Sequence, residues 1–298
     1  MRLLLSVDDL TTGEVAAVLA RAEELRSGDR RPRGTDPLLI GLLFASASLR
    51  TRVGFHAAVA SLGGQAVDVG ELRWSPEMSA AESFEDTLRT VSGITDLVVA
   101  RTPFAQTREL LEPNLVGPLI NAGDASEHPT QALIDLFGIE LERGPIGDLD
   151  IGICGDLGMR AVQSLVRLLE RFPPRSLALM APEGRDALSF DLPPELSARC
   201  DRRSIADFSD VDVVYLAGLP AQGKAVDLDN DARRAFALTP ERCAALRQEA
   251  VVVSPLPVID EIDDSCRSDP RVRLWAPSDA SVAVRAAVLE LALGRLEG

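Results

Sequence analysis

The sequence holds a single lysine, Lys224, so arginine supplies almost every positive charge. Its four cysteines, Cys154, Cys200, Cys243 and Cys266, stand far apart with no C-x-x-C pair, and two histidines do not complete a common zinc set with them. They read as reduced packing thiols, and no metal site is expected. No apolar run reaches about 18 residues, so no membrane span is expected. The start, Met1-Arg2-Leu3-Leu4-Leu5-Ser6-Val7-Asp8-Asp9, meets acids before a signal-peptide core is complete. A soluble, cytoplasmic protein is the expectation. Positive charge is also in deficit: 31 basic residues against 46 acidic ones give a net charge of -15. That balance repels a polyphosphate backbone and argues against a nucleic-acid partner. Small anions stay open, because clustered arginines can reverse the local field.

What is present is enough for two domains: 298 residues with 46% hydrophobic content. Residues 6–25 read as an amphipathic helix with caps at Thr11 or Thr12, and 38–44 as an apolar strand of the kind covered on both faces. A helix over 50–62, ended by Gly63-Gly64, follows, then strands near 65–69, 97–100 and 119–121 with helices at 84–93 and 107–111 between them. A longer helix runs from Pro129 to about Arg143, after which the pattern restarts with strands at 150–154, 176–180, 211–216 and 250–254 and a helix at 161–171. Repeated strand and helix in this order predicts an α/β chain of two doubly wound parallel-sheet domains joined by helices. The boundaries expected are 1–131 and 132–280, with a terminal helix at 281–296 packing back on the first domain.

Two segments could carry chemistry. Ser48-Leu49-Arg50-Thr51-Arg52 stands where a buried strand turns into a helix, and free backbone N–H groups with the positive end of the helix dipole make an anion site there. Hydroxyls of Ser48 and Thr51 and the fork of Arg50 would add charge-assisted hydrogen bonds to a phosphate. The alternative is that Ser48 merely caps the helix and the arginines are solvated. The second segment, Asn121-Ala122-Gly123-Asp124-Ala125-Ser126-Glu127-His128-Pro129-Thr130-Gln131, is again a strand end, a small-residue loop and a helix start. His128 could donate to a carbonyl and Gln131, about one turn on, could read an amide; the alternative is a core or capping histidine. A dinucleotide site at 152–158 is disfavoured, because its glycines do not space as G-x-G-x-x-G.

Together these segments resemble the aspartate/ornithine carbamoyltransferase family. Residues 44–55 are similar to its Ser-x-Arg-Thr-Arg signature, Val99-Ala100-Arg101-Thr102-Pro103 to its next arginine, and 121–137 to its His-Pro-x-Gln region in the aspartate branch. Gly155-Asp156-Leu157-Gly158-Met159-Arg160 and Ser254-Pro255-Leu256-Pro257-Val258-Ile259-Asp260-Glu261-Ile262 match two further blocks in the right order. The resemblance implies a carbamoyl phosphate-binding first domain and an amino-acid-binding second domain. It implies that Ser48, Leu49, Arg50, Thr51 and Arg101 hold the phosphate. His128, Gln131 and the carbonyls at Pro255 and Leu256 would orient the carbamoyl group, and Arg160 the acceptor's α-carboxylate. Arg50, Thr51, Arg101 and His128 would be the catalytic groups. It implies no cofactor, metal or covalent nucleophile, and a homotrimer with shared sites.

The departures from the family pattern fall in two places. A mobile loop that normally sends a serine and a lysine into the neighbouring subunit's site reads Trp74-Ser75-Pro76-Glu77-Met78-Ser79-Ala80-Ala81, with Pro76 and Ala80 at the aligned places. Lys224 is too far along the chain to be its replacement. The acceptor side has Ala217-Gly218-Leu219-Pro220, with Gly218 and Pro220 where an aspartate enzyme has arginine and glutamine; Ala161 replaces a threonine and Val258 an arginine. The expectation is therefore carbamoyl transfer to an amine other than aspartate. The alternatives are an aspartate carbamoyltransferase or a catalytically silent homologue with a binding role.

Overall fold

The structure is a computed structural model that describes residues 1–28, 38–69, 82–220 and 230–297. The loop residues Trp74 to Ala81, among them Pro76 and Ala80, and Lys224 lie outside the described residues. The chain divides into two compact units, Met1–Ile134 with Ala280–Gly298, and Asp135–Asp279.

The first unit is built on five parallel strands, β1 (Leu3–Leu4), β2 (Leu39–Phe44), β3 (Gln65–Val69), β4 (Leu97–Arg101) and β5 (Leu119–Asn121), in the order β1-β5-β4-β2-β3. β2 and β4 are buried almost throughout, which is why they read as continuous apolar runs. Helix α1 (Thr12–Ser27) opens on a reciprocal capping box between Thr11 and Glu14 and ends at left-handed Gly28. Helices α2 (Leu49–Ser61) and α3 (Phe84–Ile94) pack on the sheet, and α4 (Arg108–Leu111) is a single turn. The segment read as one helix over 6–25 is two pieces: a 3-10 turn at Val7–Asp9 with its own capping box, then α1 after extended Leu10. Asp9 accepts from the backbone N–H groups of Leu5 and Ser6 at 2.7 and 2.9 Å, and those bonds hold the turn apart from the helix.

The second unit carries β6 (Asp150–Gly155), β7 (Ser176–Met180), β8 (Cys200–Arg203), β9 (Val213–Gly218) and β10 (Val251–Val253), all parallel, in the order β10-β9-β6-β7-β8. Its helices are α6 (Arg160–Leu169), α7 (Pro194–Ser197), α8 (Asn230–Ala235) and α9 (Pro240–Ala245). Helix α5 (Pro129–Arg143) begins in the first unit and ends in the second, and α10 (Ala276–Ala292) does the reverse. α10 starts earlier than the apolar stripe suggested, because Ala276, Pro277 and Ser278 are good first-turn residues with no apolar periodicity. No helix among the described residues is long and apolar enough to cross a membrane.

Within the first unit α10 is tied to α1 by a buried fork: Arg21 donates to Glu290 at 2.7 and 3.2 Å, and both side chains are almost fully buried. Removing one partner strands the other charge. Arg21→Met is expected to destabilise the chain by about 3 kcal/mol, and Arg21→Met with Glu290→Leu to recover most of it, as read by urea unfolding.

At the amino edge of the second sheet, Asp150 and Asp212 share Arg175 and Arg247 at 2.6 to 2.9 Å. The Arg175 hydrogen bonds, then Arg247 and Ser176, hold Asp150 far below the usual carboxylate range. Burial opposes the shift at Asp212, but the Asp150 N–H and Arg247 outweigh it and its pKa is also lowered. Both folded values lie below the unfolded ones, so this contribution is present above about pH 4 and is lost as pH falls further. Thermal unfolding between pH 5 and 2 should therefore show a smaller acid-induced fall in Tm for Asp150→Asn than for the unaltered chain.

Candidate active site

In an open parallel sheet ligands bind outside the carboxyl ends of the strands, where the strand order reverses. In the first sheet that point lies between β2 and β4, which pair with Phe44 opposite Arg101. The loop from Ala45 to Ser48 leaves from there, and the Ala45 N–H donates to the Arg101 carbonyl at 2.8 Å.

The start of α2 is unusual for a helix. Ser48 occupies the cap position with extended dihedrals but makes no side-chain cap hydrogen bond, and no acid lies in the first turn. The first intrahelical donor is the Arg52 N–H, to the Ser48 carbonyl at 3.2 Å, so the amides of Leu49, Arg50 and Thr51 have no helical acceptor. Arg50 is a cation at the positive end of the dipole, a local cost that a bound anion would reverse. It has no hydrogen bond or ion pair among the described residues. Although the side chain reaches solvent, enough protein surrounds the guanidinium to lower its pKa. Thr51 is buried beside it. Arg52 is committed elsewhere, to Asp68 on β3 at 2.6 Å, where His56 also binds at 2.9 Å. The capping alternative for Ser48 is thus not what the helix uses.

Arg101 ends β4, is 8% exposed, and donates to the Ala122 carbonyl at 2.9 Å. The same Nη1 stands 3.4 Å from His128 Nε2, and His128 Nδ1 stands 3.4 Å from the Thr130 hydroxyl. An arginine only donates, so Nε2 is the acceptor in that contact. His128 directly precedes α5, and its carbonyl receives the Gln131 and Ala132 amides at 3.0 and 3.2 Å. Gln131 is half-buried in the first turn of α5. Gly123 makes the Arg101–His128 approach possible: its φ is +107°, and a Cβ would stand 2.5 Å from Arg101 Nη1 and 2.9 Å from the imidazole. Gly123→Ala is expected to weaken binding of phosphonoacetamide about 100-fold by calorimetry while lowering stability by about 1–3 kcal/mol.

Two residues of the site carry no role in the sequence pattern, Asp124 and Gln106. Asp124 is 2% exposed and accepts from the Ser126 and Glu127 amides, both at 2.7 Å, from the Gln106 amide at 2.8 Å, and from Asn121 Nδ2 at 3.0 Å. Gln106 also donates to Ala100 and Asn121 at 3.1 and 3.0 Å, and Asn121 reaches the Leu5 carbonyl at 2.9 Å. This knot fixes the loop that carries His128. Its signal in the sequence is the Asx-turn spacing of Asp124, Ser126 and Glu127; Gln106 has none.

The remaining expected residues lie in the second unit. Arg160 is the first residue of α6, after a Gly155–Met159 loop anchored by Asp156, which binds Arg185 at 2.9 Å and the Gly158 amide at 2.9 Å. Pro255 and Leu256 follow β10; Leu256 has φ 56°, a left-handed conformation that a leucine adopts only under constraint, and its amide donates to Ser254 Oγ at 3.1 Å. Val258 is partly buried against the apolar core of this unit, so the position of the missing arginine is used for packing.

Comparison with known proteins gives the family of the chain. Residues 2–140 match the family model described as the carbamoyl-P binding domain of aspartate/ornithine carbamoyltransferase. An aspartate carbamoyltransferase catalytic subunit of Archaeoglobus fulgidus is 33% identical over 298 residues, covering 97% of this chain and 98% of the relative. The chloroplastic aspartate carbamoyltransferase 2 of Pisum sativum is 32% identical, covering 86% of this chain and 68% of its own. Among solved structures, the catalytic subunit of M. jannaschii aspartate transcarbamoylase superposes with a TM-score of 0.85 at 28% identity, covering 99% of this chain and 98% of that one. The Trypanosoma cruzi enzyme in complex with carbamoyl phosphate gives 0.85 at 26% identity, covering 97% and 94%. The chain therefore belongs to the aspartate/ornithine carbamoyltransferase family and is a carbamoyltransferase.

Proposed function

We propose that the chain transfers the carbamoyl group of carbamoyl phosphate to the amine of an amino acid. The observation that carries this is the uncapped start of α2, with Arg50 lacking a carboxylate partner among the described residues, together with the Arg101–His128 pair. Ser48, Thr51, the fork of Arg50 and the free amides from Leu49 on hold the phosphate, and Arg101 completes the charge. His128, Gln131 and the carbonyls at Pro255 and Leu256 orient the carbamoyl group. The acceptor nitrogen attacks the carbonyl carbon with its lone pair, the C–N bond forms, and the bond from carbon to the bridging oxygen breaks. Phosphate leaves with the electron pair and can take the proton released by the amine. Groups held in place before this charge develops lower its barrier without reorganisation.

Arg160 takes the acceptor's α-carboxylate. The relatives are named for aspartate, which favours aspartate as the acceptor. A second reading, an acceptor other than aspartate, is favoured by Gly218 and Pro220 at the places of its side-chain partners. The chain works as a homotrimer with shared sites; exposed Leu49 and Val53, one turn apart on α2, support a subunit face there. Its four free cysteines support a cytoplasmic setting.

Calorimetry separates the two acceptor readings. A bisubstrate phosphonate bearing two carboxylates should bind at least about 100-fold more tightly than phosphonoacetamide if aspartate is the acceptor. Equal binding of the two supports the second reading. Failure of either to bind would contradict the carbamoyl phosphate site itself.

A further inference from the structure

The imidazole of His128 meets a neighbour at each ring nitrogen, and both neighbours belong to its own unit. Nε2 faces Arg101 Nη1 and Nδ1 faces the Thr130 hydroxyl, each at 3.4 Å. His128 is almost fully buried, and Thr130, in the first turn of α5, is completely so. A guanidinium has only donors, so Nε2 offers it a lone pair, and the single proton of the neutral ring is then on Nδ1. That proton points at Thr130 Oγ1. An imidazolium would instead turn an N–H onto the guanidinium, donor against donor.

Only one orientation of the ring satisfies both neighbours. Turned by half a revolution about its Cβ–Cγ bond, it would set Cδ2 against Thr130 and Cε1 against Arg101, and neither carbon replaces the lost nitrogen. Gly123 closes the Cδ2–Nε2 edge, where a Cβ would stand 2.9 and 3.1 Å from those two atoms. The imidazole is thus packed along one edge and bonded at the two nitrogens. The Thr130 hydroxyl has no other hydrogen-bond partner among the described residues. Position 130 is the open place in His-Pro-x-Gln, so the sequence pattern assigns it nothing.

We infer that Thr130 is the positioning residue of His128: its hydroxyl fixes the ring plane and, in the ligand-free site, takes the Nδ1 proton so that Nε2 faces Arg101 unprotonated. A hydroxyl both accepts and donates, so it keeps hold of Nδ1 in either tautomer. Contacts of 3.4 Å leave room to tighten when a ligand arrives. The consequence for turnover rests on the carbamoyl-transfer reading, in which His128 orients the carbamoyl group; the state of the ring does not.

Nitrogen-15 NMR of the full chain without ligand reads the ring directly. The sequence holds one other histidine, His56, whose signals His56→Gln identifies. The Nδ1 of His128 should carry a proton protected from solvent, and Nε2 none. Thr130→Ser should keep that protection and Thr130→Val, which retains the shape without the hydroxyl, should lose it. By calorimetry Thr130→Val should bind phosphonoacetamide about 30-fold more weakly and inorganic phosphate within about threefold, with kcat/KM about 100-fold lower and Thr130→Ser close to the unaltered chain. A proton on Nε2 of the unaltered chain would overturn the inference, and that result needs no variant to fold. Equal weakening of the two ligands in Thr130→Val, or no change in either, would overturn it as well. If even the unaltered chain carbamoylates no acceptor, the reaction reading falls, and the NMR and calorimetry still decide the role of Thr130.

Discussion

Replacing Arg101 with alanine is expected to lower kcat/KM for carbamoyl phosphate by about 10³-fold, with most of the fall in kcat. The residue is buried at the carboxyl end of β4 and makes a double use of one nitrogen, on the Ala122 carbonyl and against His128. On the proposed function, its loss would remove a charge meant for the departing phosphate and would free the imidazole proposed to orient the carbamoyl group. Lysine should restore little, because a point charge on a flexible stem cannot reproduce the fork. Steady-state phosphate release on Arg101→Ala and Arg101→Lys checks this. Activity within about tenfold of the unaltered chain would remove Arg101 from the site.

The largest stability effect is expected at Asp124. Alanine there removes the acceptor that the Ser126, Glu127 and Gln106 amides share and one of the two acceptors of Asn121 Nδ2, which keeps the Leu5 carbonyl. The Gln106 and Asn121 donors are buried, Glu127 is half-buried and Ser126 is exposed, and together the losses amount to about 4 kcal/mol, near the upper end for single substitutions. Asn should retain part of this, since its carbonyl oxygen still accepts. Chemical denaturation of Asp124→Ala and Asp124→Asn gives the comparison. A loss below about 1 kcal/mol for alanine would show that the loop holds itself without the knot.

Both effects concern one loop, and only half of that loop was legible in the sequence. His128 and Gln131 stand out because their spacing fits a helix start and a known signature. Gln106 does not, because a glutamine after an irregular Pro103 loop has no periodicity to betray it; only the fold puts it on Asn121 and Asp124. The strands show the same division. β2, β4, β6 and β9 are buried on both faces and read as apolar runs, whereas β1 is two residues long and β8, Cys-Asp-Arg-Arg, is half exposed at a sheet edge. The short helices α7, α8 and α9 escape for a related reason, since one or two turns give no repeat to detect.

At Ser48 the sequence left cap and ligand equally open, and the geometry separates them. A serine in the cap position that bonds no backbone amide, followed by an arginine with no carboxylate partner among the described residues, is a helix start suited to an anion. On the acceptor side the sequence showed what is missing at 218 and 220. It did not show that Gly218 faces the carboxylate of Glu261, because the two are 43 positions apart and meet only at the sheet edge.

Passage of a carbamoyl group from carbamoyl phosphate to an amine on this chain is read out by carbon-13 NMR. The full chain is mixed with carbamoyl phosphate labelled at its carbonyl and with amino acids as acceptors, aspartate among them. A labelled urea-type carbon on an acceptor is expected, formed with one phosphate per product and abolished in Arg50→Ala. Label found only in spontaneous hydrolysis products, at the rate seen without protein and with every acceptor present, would contradict it.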